Sequence, residues 1–184
     1  MFTLSVQYGG RTALCDFLNT IIGKSPFDQY PLVAEYVKDV GAPGEYDRNN
    51  LKNVTIDVKN PGRQWTYQYC TEFGFFQTPY KHVNMRAEIL KYDYWIDFCK
   101  EIFGNDITLH NKESNIEFGS THLKTSNIYF VNGGEDPWQW AGVLKSNEEL
   151  NHVSDLLQCE NCGHWVELYN EKESDADELK ATRA

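Results

Sequence analysis

Two residues far apart in the chain could work as an acid and a base. Asp136 stands in Asn132-Gly133-Gly134-Glu135-Asp136-Pro137-Trp138, directly after the apolar run 128–131. His164 closes Cys159-Glu160-Asn161-Cys162-Gly163-His164, just after a second apolar run at 153–157. A carboxylate can fix the tautomer of a histidine and stabilise its imidazolium. The histidine can then carry a proton between a nucleophile and a leaving group. Acid first and histidine second is the chain order of the last two members of one form of the Ser-Asp-His triad. The plainer readings stand beside this one: Asp-Pro is a common turn dipeptide, and a histidine in an acidic chain often lies on the surface.

The chain holds five histidines, His82, His110, His122, His152 and His164. His152 precedes the run 153–157 and would sit at the wrong end of a strand there. His164 follows it, on the edge expected for Asp136. A triad also needs a nucleophile, and no G-x-S-x-G exists in the sequence. Gly23-Lys24-Ser25-Pro26 lacks the second glycine, and Gly119-Ser120-Thr121 lacks the strand-to-helix setting of a nucleophile elbow. Gly133-Gly134 by itself is no phosphate loop.

Cys159-x-x-Cys162-x-His164 also invites a zinc reading, but a structural site needs a fourth ligand and usually a second close pair, which the sequence lacks. No metal and no cofactor is expected. The two cysteines then either bridge each other or pair separately. A thioredoxin-like redox role is disfavoured, because the motif does not open a helix after a strand.

Several elements would position these residues. The spacing of Leu14, Phe17, Leu18 and Ile21 predicts a helix over 11–22, opened near Arg11 or Thr12 and closed by Gly23. A second helix is expected over 31–40 through Leu32, Val33, Tyr36, Val37 and Val40, with Pro31 in its first turn and Gly41 as its stop. Gly41, Pro43, Gly44, Asp47, Asn49 and Asn50 are loop chemistry and mark the main boundary. A weak strand or helix end is expected over 54–58. Alternation of Trp65, Tyr67 and Tyr69 with Thr66 and Gln68 predicts a strand. A helix is expected over 92–103, ended by Gly104, and loop over 105–126. Runs 128–131 and 153–157 read as parallel strands, the first covered on both faces. The segment 174–183 reads as a helix capped by Ser174, with Lys180 and Arg183 near its end. The fold class is therefore α/β with a helical piece in front.

Composition narrows the partners. A net charge of -10 disfavours nucleic acid. No apolar run is long enough for a membrane span, and the first ten residues do not read as a signal peptide. The chain carries 11 Tyr, 10 Phe and 5 Trp, a load that favours a packed, groove-bearing protein. Five cysteines, Cys15, Cys70, Cys99, Cys159 and Cys162, leave one thiol over. Asn53-Val54-Thr55 is an N-glycosylation sequon.

Three long stretches resemble the S28 serine peptidases. They are W-T-Y-Q-Y-C-T-E-F-G-F-F-Q-T (65–78), V-N-G-G-E-D-P-W-Q-W-A-G-V (131–143) and C-E-N-C-G-H-W-V-E-L (159–168). V-Q-Y-G-G-R-T-A-L-C-D-F-L-N (6–19) resembles part of the helical cap of that family. The resemblance implies the C-terminal part of an α/β-hydrolase fold: 1–50 as a cap remnant and 51–184 as part of the hydrolase domain. It implies Asp136 and His164 as triad acid and base. Trp138 would line the pocket for the residue before the scissile bond, often proline, and Tyr67, Glu72 and Phe76 would lie near the substrate cleft. It implies a peptide as partner and a lysosomal or secreted full-length protein, for which a homodimer is one assembly. The segment after His164 departs from the commoner form, with Trp165-Val166-Glu167 in place of smaller residues. The serine elbow and oxyanion segment are expected upstream of the cap, which would make Met1 an internal position. The alternative is a non-catalytic relic or binding protein without the nucleophile.

Overall fold

The computed structural model describes residues 2–38, 46–80 and 86–184. The chain divides into two compact units, Met1–Gly41 with Thr121–Ala184 and Ala42–Ser120. Val40, the Gly41 stop, Pro43, Gly44 and His82 fall outside the described residues.

The first unit opens with α1 (Phe2–Gln7), α2 (Arg11–Ile21) and α3 (Pro26–Val37). Leu14 and Ile21 of α2 and Val33 and Val37 of α3 form one buried cluster, with Phe17 and Tyr36 stacked at 4.3 Å. The second helix starts a full turn earlier than its apolar stripe predicts. Ser25 caps it by accepting the Asp28 N–H, Pro26 takes the first position, and Pro31 lies inside the helix rather than in its first turn. Further along, β1 (Ile128–Gly133) and β2 (His152–Leu157) pair in parallel from Ile128↔His152 to Gly133↔Leu157. The covering of β1 is partial, since Tyr129 remains 48% exposed while Val131 packs against the cluster of Leu157 and Leu179. The chain closes with α8 (Asp177–Arg183). Ala176, not Ser174, occupies its N-cap, while Lys180 and Arg183 lie in the last turn, where cations suit the helix dipole.

The second unit contains α4 (Arg48–Lys52), α5 (Gly62–Gln68), α6 (Tyr92–Phe103) and α7 (Asn111–Phe118). Asp47 caps α4 within what reads in sequence as pure loop. The strand expected at 65–69 is instead helix α5, continued by a π-helical turn at Tyr69–Phe73. Residues i and i+4 share a helix face as well as a strand face. Trp65 and Tyr69 therefore meet edge to face at 5.9 Å, Thr66 and Cys70 are buried, and Tyr67 turns aside onto Phe103. Cys70 is bridged to Cys99 of α6, whose Trp95, Phe98 and Ile102 fill the core. The segment 54–58 is neither strand nor helix, and Val54, Ile56 and Val58 are exposed. Within the expected loop 105–126, α7 forms with no buried residue and ends at Gly119 in the left-handed region. Among the described residues, no helix is long and apolar enough to cross a membrane.

Candidate active site

Because β1 and β2 are parallel and in register to their last residues, the segments that leave them start side by side. The Gly134 N–H donates to the Leu157 carbonyl at 2.7 Å and extends the pairing one step beyond the strands. Ligand and catalytic groups collect at this carboxyl edge in parallel sheets.

The turn after β1 fixes Asp136. It caps a 3₁₀ turn at Pro137–Ala141, and its Oδ1 accepts the Trp138 backbone N–H at 2.9 Å. The Gln139 amide donates to the carbonyls of Gly134 and Asp136 at 2.8 and 3.1 Å, tying the turn to itself. The second carboxylate oxygen, Oδ2, lies 2.7 Å from His164 Nδ1. Asp136 is buried, so both oxygens are held by partners rather than by bulk water.

The loop after β2 fixes His164. Cys159 and Cys162 are joined to each other, which decides between the two pairings open in sequence and closes the turn just before the histidine. The Cys162 carbonyl accepts the Glu135 N–H at 3.1 Å, lacing this loop to the Asp136 turn. Gly133 and Gly163 meet backbone to backbone. A Cβ on Gly133 would lie 2.3 Å from the Gly163 carbonyl oxygen, and a Cβ on Gly163 would lie 2.3 Å from that of Gln7. The His164 N–H donates to the same Gln7 carbonyl at 2.6 Å. Trp165, at φ 56°, stacks on the imidazole with ring centres 4.3 Å apart. Tyr8 meets the ring edge-on at 6.2 Å.

The α2 end braces the same loop. The Thr12 N–H donates to Asn161 Oδ1 at 3.1 Å, and its hydroxyl to Glu160 at 2.5 Å. Arg11 pairs with Glu135 at 2.9 Å, and that hydrogen bond holds the guanidinium above its ordinary range.

An ionised carboxylate can only accept, so a neutral imidazole that faces one through Nδ1 carries its proton there and leaves the Nε2 lone pair open. A group so arranged can take a proton from a hydroxyl and return it to a leaving group. His152 contrasts with it at every point. It starts β2 at the opposite edge, is 5% exposed, and has Nε2 at 2.7 Å from the Thr125 carbonyl, which obliges Nε2 to donate. Its ring packs edge-on against Phe130.

Trp138 lies with the pair, its ring centre 6.5 Å from that of His164 and its indole N–H donating to Gln7 Oε1 at 3.2 Å. Tyr67, Glu72 and Phe76 belong to the other unit. Tyr67 and Glu72 are exposed, whereas Phe76 stacks on Trp95 at 5.9 Å and is partly a core residue. Asn53 ends α4, exposed, with its Oδ1 accepting the Thr55 N–H at 3.0 Å. Cys15 is free and exposed. Among the described residues, no cluster of three or more His, Cys, Asp or Glu is disposed to hold a metal ion. Sequence reasoning missed Gln7 and Tyr8; their contributions, a backbone carbonyl and a ring edge, leave no motif.

The profile of the family described as serine carboxypeptidase S28 matches residues 7–184. The chain is similar to a probable serine protease of Arabidopsis thaliana, 34% identical over 123 residues, or 67% of this chain and 25% of that protein. It is 27% identical over 137 residues to the thymus-specific serine protease of Mus musculus, covering 72% and 26% respectively. A probable extracellular serine carboxypeptidase of Arthroderma benhamiae is 35% identical over 106 residues, covering 53% and 14%. The chain thus spans about a quarter of the length of the first two of these relatives. No solved structure shows significant similarity to it. The parallel strand pair is compatible with the α/β-hydrolase-type fold of that family, and the chain belongs to the serine carboxypeptidase S28 family.

Proposed function

We propose that Asp136 and His164 are the acid and base of a serine-type peptidase whose nucleophilic serine lies outside these residues. One observation carries the reading: His164 Nδ1 sits 2.7 Å from a buried carboxylate at the carboxyl edge of a parallel strand pair. In the full-length protein the serine Oγ attacks the peptide carbonyl while its proton passes to His164 Nε2. The C–N bond then breaks as Nε2 returns that proton to the departing amine. Water repeats the cycle on the acyl-enzyme. Asp136 keeps the imidazole in one tautomer and stabilises its charged form. Trp138, beside the imidazole, lines the pocket for the residue before the scissile bond, with proline as the favoured occupant. By resemblance to the family, Tyr67, Glu72 and Phe76 take part in substrate binding, and the protein is lysosomal or secreted with a glycan on Asn53.

The absence of any G-x-S-x-G supports a corollary: the 184 residues alone are catalytically silent. The test is labelling by a fluorophosphonate probe. The full-length protein is expected to label on one serine and to cleave short peptides, and the 184-residue chain to do neither. A full-length protein that resists the probe while folded would overturn the proposal.

A further inference from the structure

Four hydrogen bonds close on themselves around the acid–base pair. The Gln7 carbonyl accepts the His164 N–H at 2.6 Å, and His164 Nδ1 faces Asp136 Oδ2 at 2.7 Å. Asp136 Oδ1 accepts the Trp138 N–H at 2.9 Å, and the Trp138 indole N–H returns to Gln7 Oε1 at 3.2 Å. Gln7 is 8% exposed and ends α1, where a helix carbonyl has no partner within the helix and is free to receive His164. The indole N–H can only donate, so the amide oxygen is the one Gln7 group that can face it. We infer that Gln7 is a positioning residue of the site, holding the histidine loop through its backbone and the Asp136 turn through its side chain.

The inference follows from the arrangement of the groups. The loop of His164 and the turn of Asp136 come from different strands, and a single residue spans both. A ring of hydrogen bonds in a buried setting strengthens its members mutually, so opening one bond loosens the others. Without the amide oxygen the indole loses this hydrogen bond, and the Asp136 turn loses its side-chain tie to α1. The Trp138 backbone N–H that pins Asp136 Oδ1 is then held by the turn alone, and the carboxylate gains freedom relative to the imidazole. A neutral acceptor at this point also avoids a second negative charge beside Asp136.

The kinetic part rests on the peptidase reading, and the spectroscopic part does not. In the full-length protein, the Trp138 indole N–H resonance, assigned by its loss in Trp138→Phe, should shift upfield and exchange faster with solvent in Gln7→Leu. Gln7→Glu, which keeps an acceptor oxygen, should restore it. kcat should fall about fivefold in Gln7→Leu, the size of one neutral hydrogen bond. Trp138→Phe opens the ring from its other side and decides the matter if Gln7→Leu does not fold. Its kcat should fall similarly, and the double variant should fall no further. An unmoved indole resonance in Gln7→Leu, or an unchanged kcat in either single variant, overturns the inference. Activity surviving in His164→Ala would sink the peptidase reading, while the resonance would still decide on the ring.

Discussion

Replacing the Cys159–Cys162 bridge by two alanines should cost less stability than removing the Cys70–Cys99 bridge, and more activity. The bridge closes a sequence separation of 3, whereas Cys70–Cys99 closes one of 29. The chain-entropy relation gives about 2 kcal/mol for a loop of about four residues and about 3.6 kcal/mol for one of about thirty. Cys70 and Cys99 are each 1% exposed, so their removal also leaves a cavity. Global stability should therefore fall more in Cys70→Ala/Cys99→Ala than in Cys159→Ala/Cys162→Ala. Activity should follow the opposite order. The short bridge shapes the turn whose Cys162 carbonyl holds Glu135 and whose next residues are Gly163 and His164. A displacement of His164 by about 1 Å would lower turnover by about 10²-fold. Urea unfolding followed by tryptophan fluorescence gives the stabilities, and peptide hydrolysis by the full-length variants gives kcat. An unchanged kcat in Cys159→Ala/Cys162→Ala, or a larger stability loss there than at the long bridge, would refute the assignment of this bridge to the histidine.

Three further outcomes are expected. Gly163→Ala puts a Cβ 2.3 Å from the Gln7 carbonyl oxygen and should lower Tm by the equivalent of about 3 kcal/mol, while Gly23→Ala, with nothing within 4 Å, should change it little. Asp175 is hydrogen-bonded to Arg183 at 2.6 Å, which holds its carboxyl below the ordinary 3.8. Since the folded value lies below the unfolded one, its contribution is present above 3.8 and is lost as pH falls through the folded value. The Tm gap between wild type and Asp175→Asn should be full at neutral pH and close in acid; a gap that widens in acid would contradict the pairing. Cys15, free and exposed, should take one equivalent of iodoacetamide on the folded, unreduced chain, with no adduct at the four bridged cysteines by mass spectrometry.

The parts of the fold that show in the sequence are those with a one-dimensional signature. The apolar runs at 128–131 and 153–157 became the parallel strands, and the stripes of α2 and α6 became buried helix faces. The order of strand, turn and side chain was enough to expect His152 at the start of the second strand and His164 beyond its end, where the structure has them. Other parts were hidden for physical reasons. Trp65, Tyr67 and Tyr69 alternate like a strand, yet the i to i+4 pair within them serves a helix equally well, and the bridge to Cys99 joins that helix to α6. The α7 helix has no apolar face to reveal it. Gln7 joins the site through a carbonyl that any residue could supply and an amide that meets Trp138 across 131 residues of sequence.

The central claim is that His164, and not His152, is the base. The direct measurement is the rate of fluorophosphonate labelling of the full-length protein in His164→Ala and His152→Ala, each normalised to its folded fraction. His152→Ala loses a buried hydrogen bond to the Thr125 carbonyl, so it should be less stable by about 1–3 kcal/mol yet label at nearly the wild-type rate per folded molecule. His164→Ala should keep its fold and lose labelling by about 10³-fold or more. Equal losses in the two variants, or labelling that survives in His164→Ala, would contradict the account.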